Sequence, residues 1–168
     1  RDYGSVTFLV ANYRKPEFEV SVNWPSIEVL SGTEITPEIA AEYYFGAPTS
    51  NTELSWSLYR RSHYFHMPGY RVGPTSSGGG WFNYDPIYSP LGDTLDYGVG
   101  TTGSDGTYPL DFTLEAEGRP YVMTLEGTVM DESSFPVSGR EEIIVHPGEY
   151  YIGARSEGWI GETNEPMG

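Results

Sequence analysis

The sequence predicts an all-β fold, an immunoglobulin-like antiparallel β-sandwich of about seven strands with a long aromatic-rich loop insertion. Three observations carry this. Apolar and polar residues alternate with period two in one short run after another, as in strands with one buried face. Gly (21) and Pro (13) are frequent while Leu and Ala are few, a composition that favours turns over helices. No apolar stripe of useful length recurs every 3.6 residues, which leaves at most a turn or two of helix.

The first elements flank Tyr13-Arg14-Lys15-Pro16-Glu17-Phe18-Glu19-Val20. Before it, Val6, Phe8 and Val10 alternate with Thr7 and Leu9; after it, Phe18, Val20, Val22 and Trp24 alternate with Glu19, Ser21 and Asn23. Pro16 cannot donate to a ladder and holds Lys15 extended. The stretch therefore reads as a hinge, with one strand leaving a neighbouring β-domain and the next opening a domain near Glu17. At about 25 cal/mol per Å² of apolar surface, burial of Phe8 and Val10 contributes a few kcal/mol. That predicts pairing of Val6 to Val10 with this domain's sheet, or with a neighbouring molecule in a crystal, when the true neighbour is absent.

Ile35, Ile39, Ala41, Tyr43 and Phe45 share one face of the following strand. Pro37 lies on that face too, which predicts an edge strand or a bulge. Gly46-Ala47-Pro48 closes the strand and starts a turn through Thr49, Ser50 and Asn51. Leu54, Trp56 and Leu58 define the next strand, ending at Arg60 and Arg61. Later runs are Tyr108, Leu110, Phe112 and Leu114, then Tyr121, Met123, Leu125 and Val129, then Val137, Ile143 and Val145 before Pro147-Gly148. Asp105-Gly106, between β-rich segments, predicts a tight hairpin because Gly supplies the positive φ such turns need.

Residues 62–100 break the pattern. They hold Gly78-Gly79-Gly80, Pro68, Pro74, Pro86 and Pro90, and are dense in aromatics: Tyr64, Phe65, Tyr70, Trp81, Phe82, Tyr84, Tyr88 and Tyr97. A structureless loop of that length is uncommon in a compact domain, and disordered segments are poor in aromatics. The expectation is that these rings pack on the sheet or on a neighbouring domain, with a ligand platform or a moving flap as the alternatives.

At 168 residues the chain holds one medium domain, or one domain with pieces of its neighbours. It starts at Arg1, in the approach to a strand without an initiator Met, and its last residues, Gly161 to Gly168, are polar. A fragment of a longer protein is the expectation. No apolar run approaches the ~20 residues of a membrane-spanning helix, so no direct membrane insertion is expected. A net charge of −15 with nine Lys and Arg argues against nucleic acid as a partner. Cys is absent, which removes disulfides, thiolate nucleophiles, thiolate zinc sites and any internal thioester from this stretch.

Catalytic patterns are missing. His63 and His66 stand three apart with no helix to align them, and His146 lies at a strand end. A zinc site would need the loop to fold His63 and His66 inward with a third ligand, and the alternative is that these two are solvated loop histidines. Asp105 and Asp111 lack the acidic spacing of a calcium loop. No Gly-x-Ser-x-Gly elbow and no phosphate loop occur. Glu141 and Glu142, like Glu17 and Glu19, read as a solvated face. The expectation is a chain that is not an enzyme, with no catalytic, cofactor-binding or metal residue and no cofactor.

Three motifs in order, Tyr13-Arg14-Lys15-Pro16-Glu17-Phe18-Glu19-Val20, Glu42-Tyr43-Tyr44-Phe45-Gly46-Ala47-Pro48 and Leu54-Ser55-Trp56-Ser57-Leu58-Tyr59-Arg60, resemble the bacterial alpha-2-macroglobulin family. Gly100-Thr101-Thr102-Gly103-Ser104-Asp105-Gly106 and Val145-His146-Pro147-Gly148-Glu149-Tyr150-Tyr151-Ile152-Gly153 extend the resemblance over nearly the whole chain. It is poorest at 62–100. The resemblance implies that 1–16 are the closing strand of the second macroglobulin-like domain and a hinge. It further implies that 17–147 are the third macroglobulin-like sandwich, and 148–168 the opening strand of, or linker to, the next. Members of the family are large envelope or secreted proteins that trap proteases: a bait segment is cleaved, the body rearranges, and in many a thioester captures the attacker. The Cys-Gly-Glu-Gln thioester motif is absent here, and no bait region is identifiable. What is implied is therefore a non-catalytic structural domain whose parent carries the endopeptidase-inhibitor activity. Its partners would be neighbouring macroglobulin-like domains, with proteases as targets of the parent. Its location would be extracytoplasmic: bacterial periplasm, cell envelope or secreted. Against this stand a carbohydrate-binding module, with Trp81 among the stacking rings, and a cell-surface adhesion domain. A fold alone does not separate these three.

Overall fold

The computed structural model describes residues 17–72, 90–130 and 135–155. The expected hinge at Pro16, the pairing of Val6 to Val10 and the rings of Trp81, Phe82, Tyr84 and Tyr88 lie outside them. The described residues are all-β, without a helix. Twelve strands succeed one another: β1 (Phe18–Asn23), β2 (Glu28–Leu30), β3 (Thr33–Ile35), β4 (Glu38–Tyr43), β5 (Glu53–Ser62), β6 (Arg71–Val72), β7 (Asp93–Thr101), β8 (Thr107–Pro109), β9 (Phe112–Leu114), β10 (Tyr121–Met130), β11 (Pro136–His146) and β12 (Gly153–Ala154). A five-stranded sheet, β2-β11-β10-β5-β7, faces a three-stranded one, β1-β4-β8, and the pairs β3·β9 and β6·β12 complete the structure.

The core sits where the alternating positions meet. Phe18, Val20 and Val22 of β1 and Ile39 and Ala41 of β4 face Leu54, Leu58, Met123, Leu125, Val129, Ile143 and Val145 of the larger sheet, and all are buried. Burial at about 25 cal/mol per Å² makes this shared interior the main stabilising contribution.

Several expectations are refined. The run from Ile35 to Phe45 is divided at Thr36-Pro37: β3 pairs with β9, whereas β4 lies between β1 and β8. Pro37 sits at neither an edge nor a bulge. It ends one ladder, and its carbonyl accepts from Leu110 N (3.0 Å) as the chain changes sheets. Phe45 does not join the core face; it lies past the end of β4, beside the Gly46 turn, 79% exposed, and stacks on Tyr43 at 5.2 Å. The run from Tyr108 to Leu114 is likewise two strands, because Pro109 closes β8. The turn at Asp105-Gly106 forms, with Gly106 at φ 79°. Asp105 Oδ1 accepts from the amide and the hydroxyl of Thr107 (3.1 and 3.0 Å), and these bonds hold its carboxyl below the usual carboxylate range. It is not a hairpin between paired strands, however, since β7 belongs to the larger sheet and β8 to the smaller. The sandwich is also not purely antiparallel: β2 pairs with β11 in parallel.

The largest departure is β7. Nine residues inside and just past the expected loop form a strand, paired with β5 from Glu53↔Thr101 to Arg60↔Asp93 with a bulge at Leu58/Tyr59. Gly98 and Gly100 occupy its inward positions and erase the alternation that announces the other strands. Their smallness has a reason. Gly98 pairs with Trp56, Trp56 with Gly127, and Gly127 with Gly139, so one transverse row of the larger sheet carries three glycines and one tryptophan. A Cβ on Gly98 would lie 2.8 Å from the Trp56 ring, and one on Gly127 2.6 Å from Ile39. A Cβ on Gly139 would overlap the Val20 carbonyl oxygen. The row is a trough into which β1, Ile39 and the indole settle.

Behind β7, Thr102 ties the turn region together. Its buried hydroxyl donates to Thr49 O (2.6 Å) and accepts from Thr52 N (2.9 Å). Thr102→Val preserves shape but strands both backbone groups away from water. A loss of about 1–3 kcal/mol is expected, read as a lower denaturation midpoint at unchanged slope; an unchanged midpoint would refute the assignment.

Candidate functional site

The direction of the chain positions everything else. β1 and β11 run side by side and the same way: Gly139 lies under Val20, Trp24 Nε1 donates to Glu141 O (3.1 Å), and Ile144 N donates to Ile27 O (3.1 Å). The polypeptide therefore enters the sandwich at the end carrying Met130 and Thr102, and β11 leaves it at the opposite end, carrying His146.

At that far end the outgoing segment is fastened. Pro147-Gly148 turns the chain, and β12 then pairs back onto β6, with Gly153 opposite Val72 and Ala154 opposite Arg71. Tyr151 stacks flat on Phe65, with ring centroids 4.4 Å apart and an interplanar angle of 2°. The Tyr151 hydroxyl is 2.6 Å from His146 Nδ1, and His146 Nε2 is 3.3 Å from Glu28 Oε2. A carboxylate only accepts. With a neutral ring, Nε2–H donates to Glu28 and the phenol donates to Nδ1. Burial, then the Glu28 charge, pushes the Tyr151 phenol above its ordinary value of 10.0. The fastening thus joins β2, β11, the segment before β6 and the outgoing chain.

Beside this stack lies a cleft of about 390 Å³ whose walls include His63, Tyr64, Val72, Arg119, Pro120 and Ile152. Of the three histidines, His63 reaches this cleft and binds Pro120 O through its backbone (2.9 Å), while His146 is spent on Tyr151 and Glu28. Asp111 Oδ1 accepts from the Thr36 hydroxyl (2.7 Å), apart from Asp105. No group of three or more metal-ligating side chains occurs among the described residues. Of the loop aromatics, Phe65 packs on Tyr151 and Tyr70 lies under the Arg155 guanidinium (5.4 Å), so both serve the outgoing segment. Tyr64 and Tyr97 are exposed. In the sequence Tyr151 stands only as one position of the Val145 to Gly153 motif, with no role signalled for its ring.

A raised phenol pKa has a definite sign. Below pH 10 the neutral phenol is present in both folded and unfolded chain, and its contribution is complete. The unfolded chain ionises first, so the contribution is lost as pH rises through the folded value. The fastening is expected to loosen in alkali, with Tyr151 ionising later than an ordinary tyrosine. The tyrosinate absorbance difference between the protein and Tyr151→Phe reads this directly; a difference curve centred at or below pH 10 would refute it.

No protein-family profile matches the sequence, and no curated protein matches it. Solved structures do. A Salmonella alpha-2-macroglobulin reacted with methylamine superposes with a TM-score of 0.64 at 16% identity, over 88% of this chain and 9% of that one. The native conformation of Escherichia coli alpha-2-macroglobulin gives 0.63 at 17% identity, over 87% and 9%. The E. coli protein activated by porcine elastase gives 0.63 at 18%, over 86% and 12%. The fold expected from the resemblance is thus the fold observed, and the chain spans about a tenth of the length of these alpha-2-macroglobulin structures.

Proposed function

We propose that the chain is a non-catalytic structural domain of a protease-trapping protein of the alpha-2-macroglobulin kind, working outside the cytoplasm. Residues 17–147 form its sandwich, and its neighbours attach at the two ends. The observation that carries this reading is the path of the chain: it enters at one end of the sandwich and leaves at the other, where Tyr151, Phe65, His146 and Glu28 fix its direction. A unit with that path is a link, which holds the angle between the domains on either side of it. The shared fold supports the same reading, as does the fact that two of the E. coli structures are of protein activated by trypsin and by elastase.

The test has two arms. The full-length protein containing this segment is incubated with trypsin and with elastase and resolved on a native gel. Protease is expected to co-migrate with the cleaved protein, and this chain alone is expected neither to bind nor to slow either protease. Retention by the isolated chain, or simple digestion of the full-length protein without retention, would overturn the proposal.

A further inference from the structure

We propose that the outer edge of β7, from Tyr97 to Thr101, is a docking site for an extended peptide with basic residues at its two ends. Among the described residues β7 is the last strand of the five-stranded sheet, and β5 lies on one side of it only. Two hydrogen bonds fix which backbone groups face outward. Thr102 N donates to Thr52 O (2.9 Å), so Thr102, and with it Gly100 and Gly98, turns its backbone toward β5. Tyr97 N instead donates to Asp96 Oδ1 (2.8 Å), away from β5. By the same alternation Val99 and Thr101 point N–H and C=O outward, where they have no backbone partner among the described residues. An edge with such groups free is a template for another strand.

The usual protections stop at Tyr97. The bulge at Leu58/Tyr59 and the Asp96 carboxylate on Tyr97 N–H close the edge up to that residue. From Tyr97 onward there is no Pro and no charge on the strand. Tyr97 (76% exposed) and Val99 (72%) stand on the outer face, while Gly98 and Gly100 lie flat against the Trp56 and Tyr108 rings.

Charge selects the occupant. Asp96 flanks one end of the open stretch, and Glu53, opposite Thr101 on β5, flanks the other. β7 carries no Lys or Arg, and the chain as a whole is at −15. A second copy meeting edge to edge would bring like charge to like charge, whereas a strand with a cation at each end meets carboxylates. In the antiparallel register the incoming residue opposite Val99 exchanges both bonds with it. Its neighbours two positions away meet Tyr97 O and Thr101 N, and apolar β-branched side chains there lie beside Tyr97 and Val99.

The experiment titrates the isotope-labelled chain with the capped peptide Lys-Thr-Val-Thr-Val-Lys and tracks the amide signals of Val99 and Thr101. Micromolar binding centred on those amides is expected, about tenfold weaker for Glu-Thr-Val-Thr-Val-Glu and weakened by salt. Val99→Pro removes an outward N–H that the β5 ladder does not use, and Val99→Lys keeps the backbone but repels the peptide; each is expected to weaken binding about tenfold or more. Equal binding to wild type and both variants, no shift at millimolar peptide, or self-association of the chain through this edge would each overturn the proposal.

Discussion

Gly139→Ala is expected to weaken the domain by about 3 kcal/mol, at the upper end of what overpacking costs, and to lower Tm by roughly 10 °C. The reason lies in what the new methyl meets. It meets the Val20 carbonyl and the Ser21 amide nitrogen, backbone atoms that no rotamer change can move aside. β1 would have to shift off β11, and Phe18, Val20 and Val22 would shift with it. Gly148→Ala is the control: a Cβ there has no atom within 4 Å, and a change within about 0.5 kcal/mol is expected. Calorimetry on the pair decides, and equal Tm values would discard the close approach of β1 and β11.

Trp56→Ala is expected to cost about 3 kcal/mol, the lower end for a large aromatic because the ring is only half-buried. The indole meets Phe112 edge-on at 5.7 Å and 71°, and it fills the space over Gly98. The two positions are coupled by volume. Gly98→Ala alone forces the ring outward, but alongside Trp56→Leu the added methyl has room. A double-mutant cycle is therefore expected to show coupling of about 0.5–3 kcal/mol, and strict additivity would argue that the ring does not rest on the glycine.

The core is legible in the sequence wherever a side chain announces its face. Phe18, Val20 and Val22, and Tyr121 through Val129, read correctly because each inward position but Gly127 is apolar, and so do Ile143 and Val145. β7 is not legible, because its inward residues are glycines, which carry no hydrophobic signal although the core needs them there. β2 is not legible either: three residues, Glu28 to Leu30, become a strand only through a parallel partner distant in the chain. Pro37 and Pro109 are visible as interruptions, but whether the chain then bends within a sheet or moves to another depends on pairings that local residues do not encode. The fastening at the far end has the same obstacle. Phe65 and Tyr151 are ordinary loop aromatics until the fold stacks them, and His146 reads only as a strand-end histidine until Glu28 and Tyr151 occupy its two nitrogens. The resemblance of the motifs anticipates the fold that the solved structures share, while the sequence holds no hint of a β7 edge unpaired among the described residues.

The opposed positions at which β1 begins and β11 ends carry a mechanical consequence. Force applied at the start of β1 and at the end of β11 pulls the two strands along their own axes and in opposite directions. The six pairs of the β1·β4 ladder and the ten of β10·β11 are then loaded in shear, so that many bonds must yield together instead of opening one after another. A sandwich loaded in this way is stiff along these two strands, and its lifetime under load is set by the rate of unfolding, not by its equilibrium stability.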